Sequence, residues 1–424
     1  MPMTKVFRRL LSLQGVRVTK VRFHCDALVI IVDVESTHAK VKCPCCGRRS
    51  DAGMYDSRRR LWRHIDLGPW EIYLRSKARR FHCHRCDTIV TEAVPWAEPG
   101  STFSRDFEDV VSFYAQTTNQ TVVSRVMNIA WPTVGNIAVR TVKRRGMPLE
   151  RRQLYRIGID EISYRKHHKY LTIVADHVGG DVVWGGEGKS GDTLDQFLDA
   201  LGEAGRARIQ LVSMDMSQAF ISKITERLPN ATIVFDPFHV IKLANKAVDE
   251  VRRAQVRALA GLADDAQAIK NTRWILLKAQ ENLSGKDLAK LALVAAANRP
   301  LYRAYLLKET LRAVYREPPD KAREKLKAWL AWASRSRLRP FVKLARTIRE
   351  HKAGILAAIE HGLSNGRLEG LNNKIRLLSH RAFGFHSAAA LLAFVYLCCA
   401  GIDVPLPSDQ RSGVDPYLLT FSDP

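Results

Sequence analysis

Two pairs of cysteines near the N-terminus have the spacing of a zinc ribbon. Cys43 and Cys46 lie in CPCCG, and Cys83 and Cys86 lie in FHCHRC. Two short loops that each present two soft thiolates can close a tetrahedral site around zinc, and a reducing compartment favours metal binding over disulfides. The sequence therefore predicts one structural zinc ion held by these four cysteines.

Other zinc ligands remain open at this point. Cys45 could replace Cys46, and a histidine could replace a cysteine at His64, His82 or His84. Between the cysteine pairs, LWRHIDLG and WEIYLRSKARRFHC alternate apolar and polar residues, which is typical of hairpin strands. The sequence predicts such a hairpin between the two pairs.

Two aspartates at predicted strand ends form a second group that could do chemistry. From Tyr155 the pattern predicts strand, strand, strand, helix, strand, helix, strand, which is the order of an RNase H-like core. Asp160 is predicted to end the first strand and Asp215 the fourth. In that topology both carboxylates would emerge near each other, at neighbouring strand ends.

A third carboxylate is predicted on a helix far downstream, in SNGRLEGLNNKIRLLSHRAFGF. Ser364 and Asn365 can cap this helix. Its predicted apolar stripe consists of Leu368, Leu371, Ile375 and Leu378. The other face would carry Glu369, Asn372, Asn373 and Arg376. We expect Glu369 to approach the two aspartates, while the two amides and the arginine meet DNA phosphates.

Three converging carboxylates have a defined chemical use. They would hold two Mg²⁺ ions about 3.5 to 4 Å apart, one activating a water or hydroxyl and one stabilising the leaving oxygen. Phosphodiester cleavage and strand transfer need this arrangement. The alternatives are a solvated strand end for Asp160 and, for Glu369, a helix-surface residue favoured by the helix dipole.

A helix-turn-helix is predicted between Phe103 and Arg145. The helical periodicity breaks at 130–132, and Pro132 suits the first turn of a new helix. Its inward stripe would consist of Val134, Ile137, Ala138 and Val142. The outward residues Thr133, Asn136, Arg140 and Lys143 could then reach base edges and phosphates in a major groove. An αα-hairpin without a DNA-binding role would have the same pattern.

The net charge of +24 indicates a polyanionic partner. Residues 1–159 hold 28 basic and 14 acidic residues, 160–241 hold 8 and 12, and 242–361 hold 26 and 12. This predicts two DNA-binding regions around a carboxylate-rich site. The longest apolar run, residues 387–402, is shorter than the roughly 20 residues that span a bilayer, and no signal-peptide core is evident. We therefore expect a cytoplasmic protein without a membrane partner.

The motifs also resemble a known family. IGIDEISYRKHHKYLTIVAD, VSMDMSQAF, VFDPFHVIKLANKAVDEVRR and the Glu369 segment, together with the cysteine pairs, are similar to the DDE transposases of bacterial insertion sequences of the ISL3 group. The likeness covers nearly the whole chain. It implies Asp160 and Asp215 as the two aspartates and Glu369 as the glutamate of the metal site. Asp236 is the rival for the second position, but with His239 it is expected to support the ligands instead.

The resemblance and the residues together predict a multidomain α+β protein of 424 residues. The implied function is a transposase that binds the terminal inverted repeats of its element, cleaves there and joins 3′-OH groups to target DNA. A catalytically inactive DNA-binding regulator and an RNase H-like nuclease without strand transfer are the alternatives. The predicted partners are double-stranded DNA, at the element ends and the target, and further copies of the chain in a homo-oligomer.

Five segments are predicted along the chain. An Ala-, Leu-, Lys- and Arg-rich helical insertion would interrupt the RNase H-like core and would bind DNA or another copy of the chain. The predicted segments are a zinc-binding domain (1–97), a helix-turn-helix domain (98–150), the first part of the core (151–244), the helical insertion (245–361) and the second part of the core with the C-terminal tail (362–424).

Overall fold

A computed structural model describes residues 2–50, 53–165, 169–259, 269, 271–363, 366–382, 384–385 and 387–410; the predicted capping residues Ser364 and Asn365 lie outside these ranges. The chain divides into two compact units. The first comprises Met1–Gly146, Arg381–Phe383 and Tyr396–Pro424, and the second Met147–His380 and Gly384–Val395. Among the described helices, none combines the length and the apolar character needed to cross a bilayer.

The first unit begins with a helix and a sheet. The elements are α1 (Met3–Leu11), β1 (Val16–His24), β2 (Val29–Ser36), β3 (Val41–Lys42), β4 (Arg49–Ser50), β5 (Met54–Leu67), β6 (Trp70–Cys83) and β7 (Thr88–Thr91). The sheet has the strand order β1-β2-β6-β5, and β7 pairs with the C-terminal end of β6. β5 and β6 are antiparallel, which confirms the hairpin predicted between the cysteine pairs.

Two separate apolar clusters stabilise this sheet. In the larger cluster, alternate residues of β2 meet α1, since side chains of a strand alternate between its faces. The smaller cluster surrounds the cysteines at the far end of the hairpin. The larger one includes Phe7, Leu11, Ile30, Val32, Val34, Trp62, Leu74 and Trp96, and the smaller one Val41, Cys43, Phe81, Cys83 and Val90.

Three helices complete the described core of the first unit: α2 (Arg105–Thr117), α3 (Gln120–Val126) and α4 (Trp131–Arg145). Ser104 caps α2 by accepting a hydrogen bond from the amide of Phe107, and Pro132 lies in the first turn of α4. The predicted helix start is therefore confirmed. The predicted inward stripe is confirmed as well, because its four members are buried: Val134, Ile137, Ala138 and Val142.

The second unit contains a five-stranded sheet. Its first elements are β8 (Arg156–Arg165), β9 (Lys169–Asp176), β10 (Val182–Glu187), α5 (Gly191–Arg208), β11 (Leu211–Met214), α6 (Gln218–Arg227), β12 (Thr232–Phe235) and α7 (Pro237–Ala258). The order of strands and helices is the one predicted from the sequence. In the sheet the strands lie in the order β10-β9-β8-β11-β12. β8, β9 and β10 are antiparallel neighbours, whereas β11 lies parallel to both β8 and β12.

Asp160 does not end its strand, contrary to the prediction. β8 continues to Arg165 because β9 pairs with it along its whole length. The parallel pairing with β11 has its last pair at Gly158. Asp160 therefore lies inside a strand, at the level where its parallel neighbour stops.

The described elements that follow α7 are helical. Trp329 is buried among them and donates a hydrogen bond to the carbonyl of Leu307, whereas Trp274 is 69% exposed. These helices share one continuous apolar core with α5, α6 and α7. They span Arg273–Leu277, Gly285–Ala297, Arg299–Val314, Pro319–Arg335, Arg339–Glu350 and Lys352–Glu360, and the helices Gly366–Arg381 and Ala388–Cys399 come after them.

The helix Gly366–Arg381, called the Glu369 helix below, packs on one face of β8. Gly158 leaves the necessary space, because a Cβ at this position would lie 2.4 Å from Cδ1 of Leu368. Arg367 donates to the carbonyl of His177 at 2.6 Å and so attaches the first turn of the helix to the segment after β9. The Glu369 helix is thus fixed against the strand that carries Asp160.

Candidate functional site

Three aspartates lie at one level of the second sheet. β11 pairs in parallel with β8 and with β12. Both registers, continued by one or two residues, bring Asp215 beside Asp160 on one side and beside Asp236 on the other. Neighbouring strands are about 4.8 Å apart, so three carboxyl groups start from adjacent backbone positions.

The carboxylate of Asp160 is oriented from two sides. Its Oδ1 accepts a hydrogen bond from the amide of Glu161 at 2.8 Å, and its Oδ2 accepts one from Nδ2 of Asn372 at 2.5 Å. Asn372 is 4% exposed. The Glu369 helix therefore reaches the first aspartate directly, through a buried amide.

The predicted faces of the Glu369 helix need one correction. Asn372 lies with the buried residues Leu368 and Ile375, not on the outer face. The reason is the polar group beneath it, since Asp160 gives a buried amide a partner. Glu369 and Asn373 are exposed, as predicted, and Arg376 is exposed and donates to Oδ1 of Asn373.

Asp215 and Asp236 differ in their surroundings. Asp215 follows β11 in a partly exposed loop, where its Oδ1 accepts from the amide of Ser217 at 2.9 Å. Asp236 is buried and caps α7 by accepting from the amide of Phe238 at 3.2 Å. Nδ1 of His239 lies 3.4 Å from Oδ2 of Asp236, so both oxygens of this carboxylate contact the first turn of α7.

The three predicted Mg²⁺ ligands, Asp160, Asp215 and Glu369, do not form a compact cluster. Glu369 lies one helical turn before Asn372, and residues three apart on a helix are neighbours. Nevertheless, among the described residues, only the four cysteines form a group of three or more potential ligands within 4.8 Å of one another. The donors are hard carboxylate oxygens, the kind that Mg²⁺ takes, so the residues fit that ion.

Glu161 is a residue of this site that sequence reasoning missed. Burial raises the pKa of its carboxyl group to about 7, the charges of Asp215 and Asp160 add to the increase, and Lys189 opposes it. The acid–acid pair in IGIDE was the available signal. Burial is the main cause of the raised pKa, and the two neighbouring aspartates add negative charge that a bound cation would offset.

The four predicted zinc ligands do converge. Their sulfur atoms lie within 4.8 Å of one another, with 3.9 Å between Cys43 and Cys86 and 3.7 Å between Cys46 and Cys83. Burial opposes ionisation of the Cys43 thiol, but backbone amides of Cys46 and Cys45 lower its pKa to about 6. Four thiol ligands in a tetrahedral group suit zinc.

The alternative zinc ligands lie elsewhere. Cys45 is exposed and outside the group of four. His64 is buried and bonded through Nδ1 to the hydroxyl of Ser104 at 2.8 Å. His82 and His84 pack edge to face against each other. The ambiguity in the sequence is thereby resolved in favour of the two C-x-x-C pairs.

In the helix-turn-helix, Asn136 and Lys143 are exposed and Thr133 is partly exposed. Nε of Arg140 instead donates to the fully buried carboxylate of Glu108 at 2.7 Å. Arg144 shares that carboxylate at 3.1 Å. Arg140 thus connects α4 to α2 within the unit, a contact that helical periodicity alone does not reveal.

A four-cysteine site, a helix-turn-helix and a sheet with aligned aspartates define a DNA-processing protein. Residues 157–395 match the ISL3 DDE family model described as "Transposase". Residues 92–142 match the "Helix-turn-helix domain of transposase family ISL3", and 39–86 match the "zinc-finger of transposase IS204/IS1001/IS1096/IS1165". The chain belongs to the ISL3 family of transposases.

Full-length relatives agree with the family assignment. The transposase for insertion sequence element IS1557 of Mycobacterium tuberculosis is 40% identical over 407 residues, covering 90% of this chain and 91% of the relative. The transposase for insertion sequence element IS1001 of Bordetella parapertussis is 27% identical over 384 residues, covering 90% and 94%. The predicted enzyme class is confirmed: the chain is a DNA-binding transposase.

The bond between Asn372 and Asp160 gives a stability prediction. Asn372→Ala is expected to lower the free energy of unfolding of the second unit by about 1 to 3 kcal/mol, because it leaves a partly buried carboxylate without its amide. Asn373→Ala, its exposed neighbour, should stay within about 0.5 kcal/mol of the parent. Calorimetric unfolding of the three proteins measures this. Equal effects of the two substitutions would mean that the Asp160 contact contributes nothing.

Proposed function

We propose that the second unit is an RNase H-like catalytic core in which Asp160, Asp215 and Glu369 hold two Mg²⁺ ions. Two observations carry this proposal: the parallel register of β11 and β8, which leads Asp215 toward Asp160, and the hydrogen bond from Asn372 of the Glu369 helix to Asp160. The strand order, with two parallel strands added to an antiparallel meander, supports it. Mg²⁺-dependent cleavage of DNA that carries the element ends, by the parent and ligand variants, tests it.

In this proposal each side chain has a separate task. When bound, the two ions supply activation of the attacking water or hydroxyl and stabilisation of the leaving oxygen. Asn372 and the amide of Glu161 orient the Asp160 carboxylate. Glu369 is exposed one helical turn before Asn372 and would supply the third carboxylate of the ligand set.

We assign the second position to Asp215 rather than Asp236. Asp215 is partly exposed and accepts a hydrogen bond from the nearby amide of Ser217, so it can turn its other oxygen to an ion. Asp236 is buried and caps α7. Asp236 and His239 then stabilise the end of β12 next to the site, without binding the ions themselves, as groups that support metal ligands do.

We further propose that the helices between α7 and the Glu369 helix are an insertion in this core. Their basic composition supports contact with DNA or with another copy of the chain, and we propose a homo-oligomer on DNA. The five predicted segments, with boundaries at 97, 150, 244 and 361, remain predictions. Since the substrate is DNA, we propose that the enzyme acts in the cytoplasm.

We propose that α4 recognises the terminal repeats of the element. Asn136 is exposed and has the amide that suits a base edge, whereas Lys143 suits a phosphate. Thr133 lies on the same face. On the Glu369 helix, the exposed Asn373 and Arg376 are proposed phosphate contacts, and Asn372 acts through Asp160 instead.

Substitutions in α4 distinguish a contact with DNA bases from a contact with the phosphate backbone. Asn136→Ala is expected to weaken binding to the element ends by about 1 to 3 kcal/mol and to leave random duplex binding unchanged. Lys143→Ala should weaken both alike and reduce the slope of log affinity against log salt by about 1. Fluorescence anisotropy with both duplexes measures these effects. Unchanged affinity in both variants would contradict recognition by this face.

Arg140→Ala is the informative companion variant. It is expected to weaken end binding, as the sequence pattern predicted, but also to lower the stability of the first unit, because the buried Glu108 would keep only one arginine. Arg140→Lys keeps the charge but lacks the same Nε–H. If Arg140→Lys restores stability without restoring end affinity, the guanidinium contacts DNA as well as Glu108.

A further inference from the structure

The exposed face of the first unit's sheet is the strongest unassigned feature. We propose that this face binds the phosphate backbone of duplex DNA, as a second contact in addition to the helix-turn-helix. The inference rests on the DNA binding of the enzyme and goes beyond it, because neither α4 nor the zinc site contributes to this face. We call it the basic sheet face; its basic residues are Lys20, Arg22, Arg59, Arg75, Lys77 and Arg79.

Strand alternation makes one side of this sheet polar. Ile30, Val32 and Val34 of β2 point into the core under α1, so Asp33 between them points to the other side. Across the sheet, Asp33 pairs with Lys20 of β1 and with Arg75 of β6. The face opposite α1 therefore presents charged side chains from adjacent strands.

The basic sheet face forms a concave surface. A groove of about 630 Å³ runs over it. Its lining consists of the six basic residues, three acidic residues, four residues with small hydroxyl side chains, and the apolar Val34, Met54 and Trp96. Ser57 pairs with Arg79 across the strands, so its hydroxyl lies on this face and is a suitable hydrogen-bond donor to phosphate oxygens. The lining thus combines positive charge with neutral donors, which is the composition of a phosphate-binding surface.

The acidic residues of the groove are already neutralised. Asp33 bonds to both Arg75 at 2.6 Å and Arg22 at 2.7 Å. Glu92 bonds to Arg79 at 2.6 Å, and Glu35 to Arg17 at 2.7 Å. These pairs hold the arginine stems in place and remove the charges that would repel DNA.

Three basic residues of the groove keep their charge available. Lys20, Arg59 and Lys77 are exposed, and within the described part of the chain no acidic side chain lies in salt-bridge distance of them. Each is on a different strand: β1, β5 and β6. The unpaired positive charge is therefore spread across the sheet.

The strand spacing of the sheet gives the distance over which these three cations are spread. Arg59 pairs directly with Lys77, and the strand order places β1 three strand spacings from β5. At about 4.8 Å per spacing, the three cations span roughly 14 Å across the strands. Since one DNA strand carries a phosphate about every 3.4 Å of helix axis, that width matches about four phosphates. An extended polyanion fits better than a single small anion.

Salt dependence of DNA binding tests the proposal with the full-length protein. The triple variant Lys20→Ala, Arg59→Ala, Lys77→Ala should lose affinity for end-bearing and random duplexes alike. The slope of log affinity against log salt should become shallower by about 2.7, at about 0.9 per phosphate contact. Fluorescence anisotropy between low and moderate salt measures both quantities, with zinc content and circular dichroism as checks of folding.

A matched control separates a local contact from a general loss of charge. Lys5→Ala, Arg8→Ala, Arg9→Ala removes the same charge from exposed positions of α1, on the opposite side of the sheet. This control should change the slope much less. Exchanging Lys for Arg and Arg for Lys at the three face positions should retain the parent slope.

The outcomes are distinct from those of the catalytic proposal. If the triple variant of the face keeps the parent's salt slope, the basic sheet face is not a DNA contact. The same conclusion follows if the slope of the α1 control becomes shallower by the same amount. Either result leaves Mg²⁺-dependent cleavage by the parent protein intact. Absence of that cleavage in the parent would instead contradict the catalytic proposal and leave the salt slopes to be judged separately.

Discussion

Alanine at Asp160, Asp215 or Glu369 is expected to abolish DNA cleavage and strand transfer while end binding stays nearly intact. Each substitution removes one carboxylate from a site proposed to hold two Mg²⁺ ions. Loss of metal stabilisation of several kcal/mol corresponds to a rate decrease of about three orders of magnitude or more. We expect DNA affinity to come from basic residues outside this acidic region, so removal of a negative charge should not weaken DNA binding.

The measurement is Mg²⁺-dependent nicking of a labelled terminal repeat, followed by transfer to a target duplex. Asp236→Ala is the discriminating control. It removes the cap of α7 and should reduce activity and stability without eliminating cleavage. Asp236→Asn retains an acceptor oxygen for the cap and should recover most of both properties.

Two results would change the assignment in different ways. If Asp215→Ala cleaves normally while Asp236→Ala and Asp236→Asn are inactive, Asp236 is the second ligand in place of Asp215. The enzyme class is then unchanged. Parent-like cleavage by every variant would refute the metal site as proposed. A binding readout that does not depend on cleavage, such as Mn²⁺ titration followed by electron paramagnetic resonance, should show weaker metal binding in the three ligand variants.

Local patterns were sufficient to predict much of this fold. The start of α4 at Pro132 and its buried stripe follow from helical periodicity and from the geometry of proline, both of which act within a few residues. The strand and helix order of the second unit follows in the same way. Cysteine spacing located the metal group because thiolate chemistry leaves few alternatives.

Long-range partners explain what the sequence pattern missed. Helical periodicity places Asn372 on the face opposite the apolar stripe, yet Asp160, 212 residues earlier, provides a buried partner for its amide. Arg140 likewise meets Glu108 on another helix. The sequence pattern predicts that β8 ends at Asp160, but β9 extends the pairing to Arg165. In each case the deciding contact comes from a part of the chain that periodicity cannot connect.

The zinc site carries the second large prediction. Cys83→Ser is expected to lose the metal, because Cys83 is one of the four clustered cysteines. Cys45→Ser should still bind a full equivalent of zinc, because Cys45 lies outside that group. Structural zinc contributes on the order of 10 kcal/mol in small zinc domains. The cysteine cluster has few apolar residues of its own, namely Val41, Phe81 and Val90, so they cannot replace that contribution.

Loss of zinc should not unfold the whole first unit. The larger apolar cluster, with Phe7, Leu74 and Trp96, lies in the other part of the sheet and does not include the cysteines. Metal analysis with hydrogen exchange should therefore show Cys83→Ser without zinc and with fast exchange in β3, β4 and β7, while β1 and β2 remain protected. Less than about half an equivalent of zinc in the parent would exclude a closed four-cysteine site. Fast exchange throughout β1 and β2 would instead mean that the two clusters unfold as one cooperative unit, with the metal essential to both.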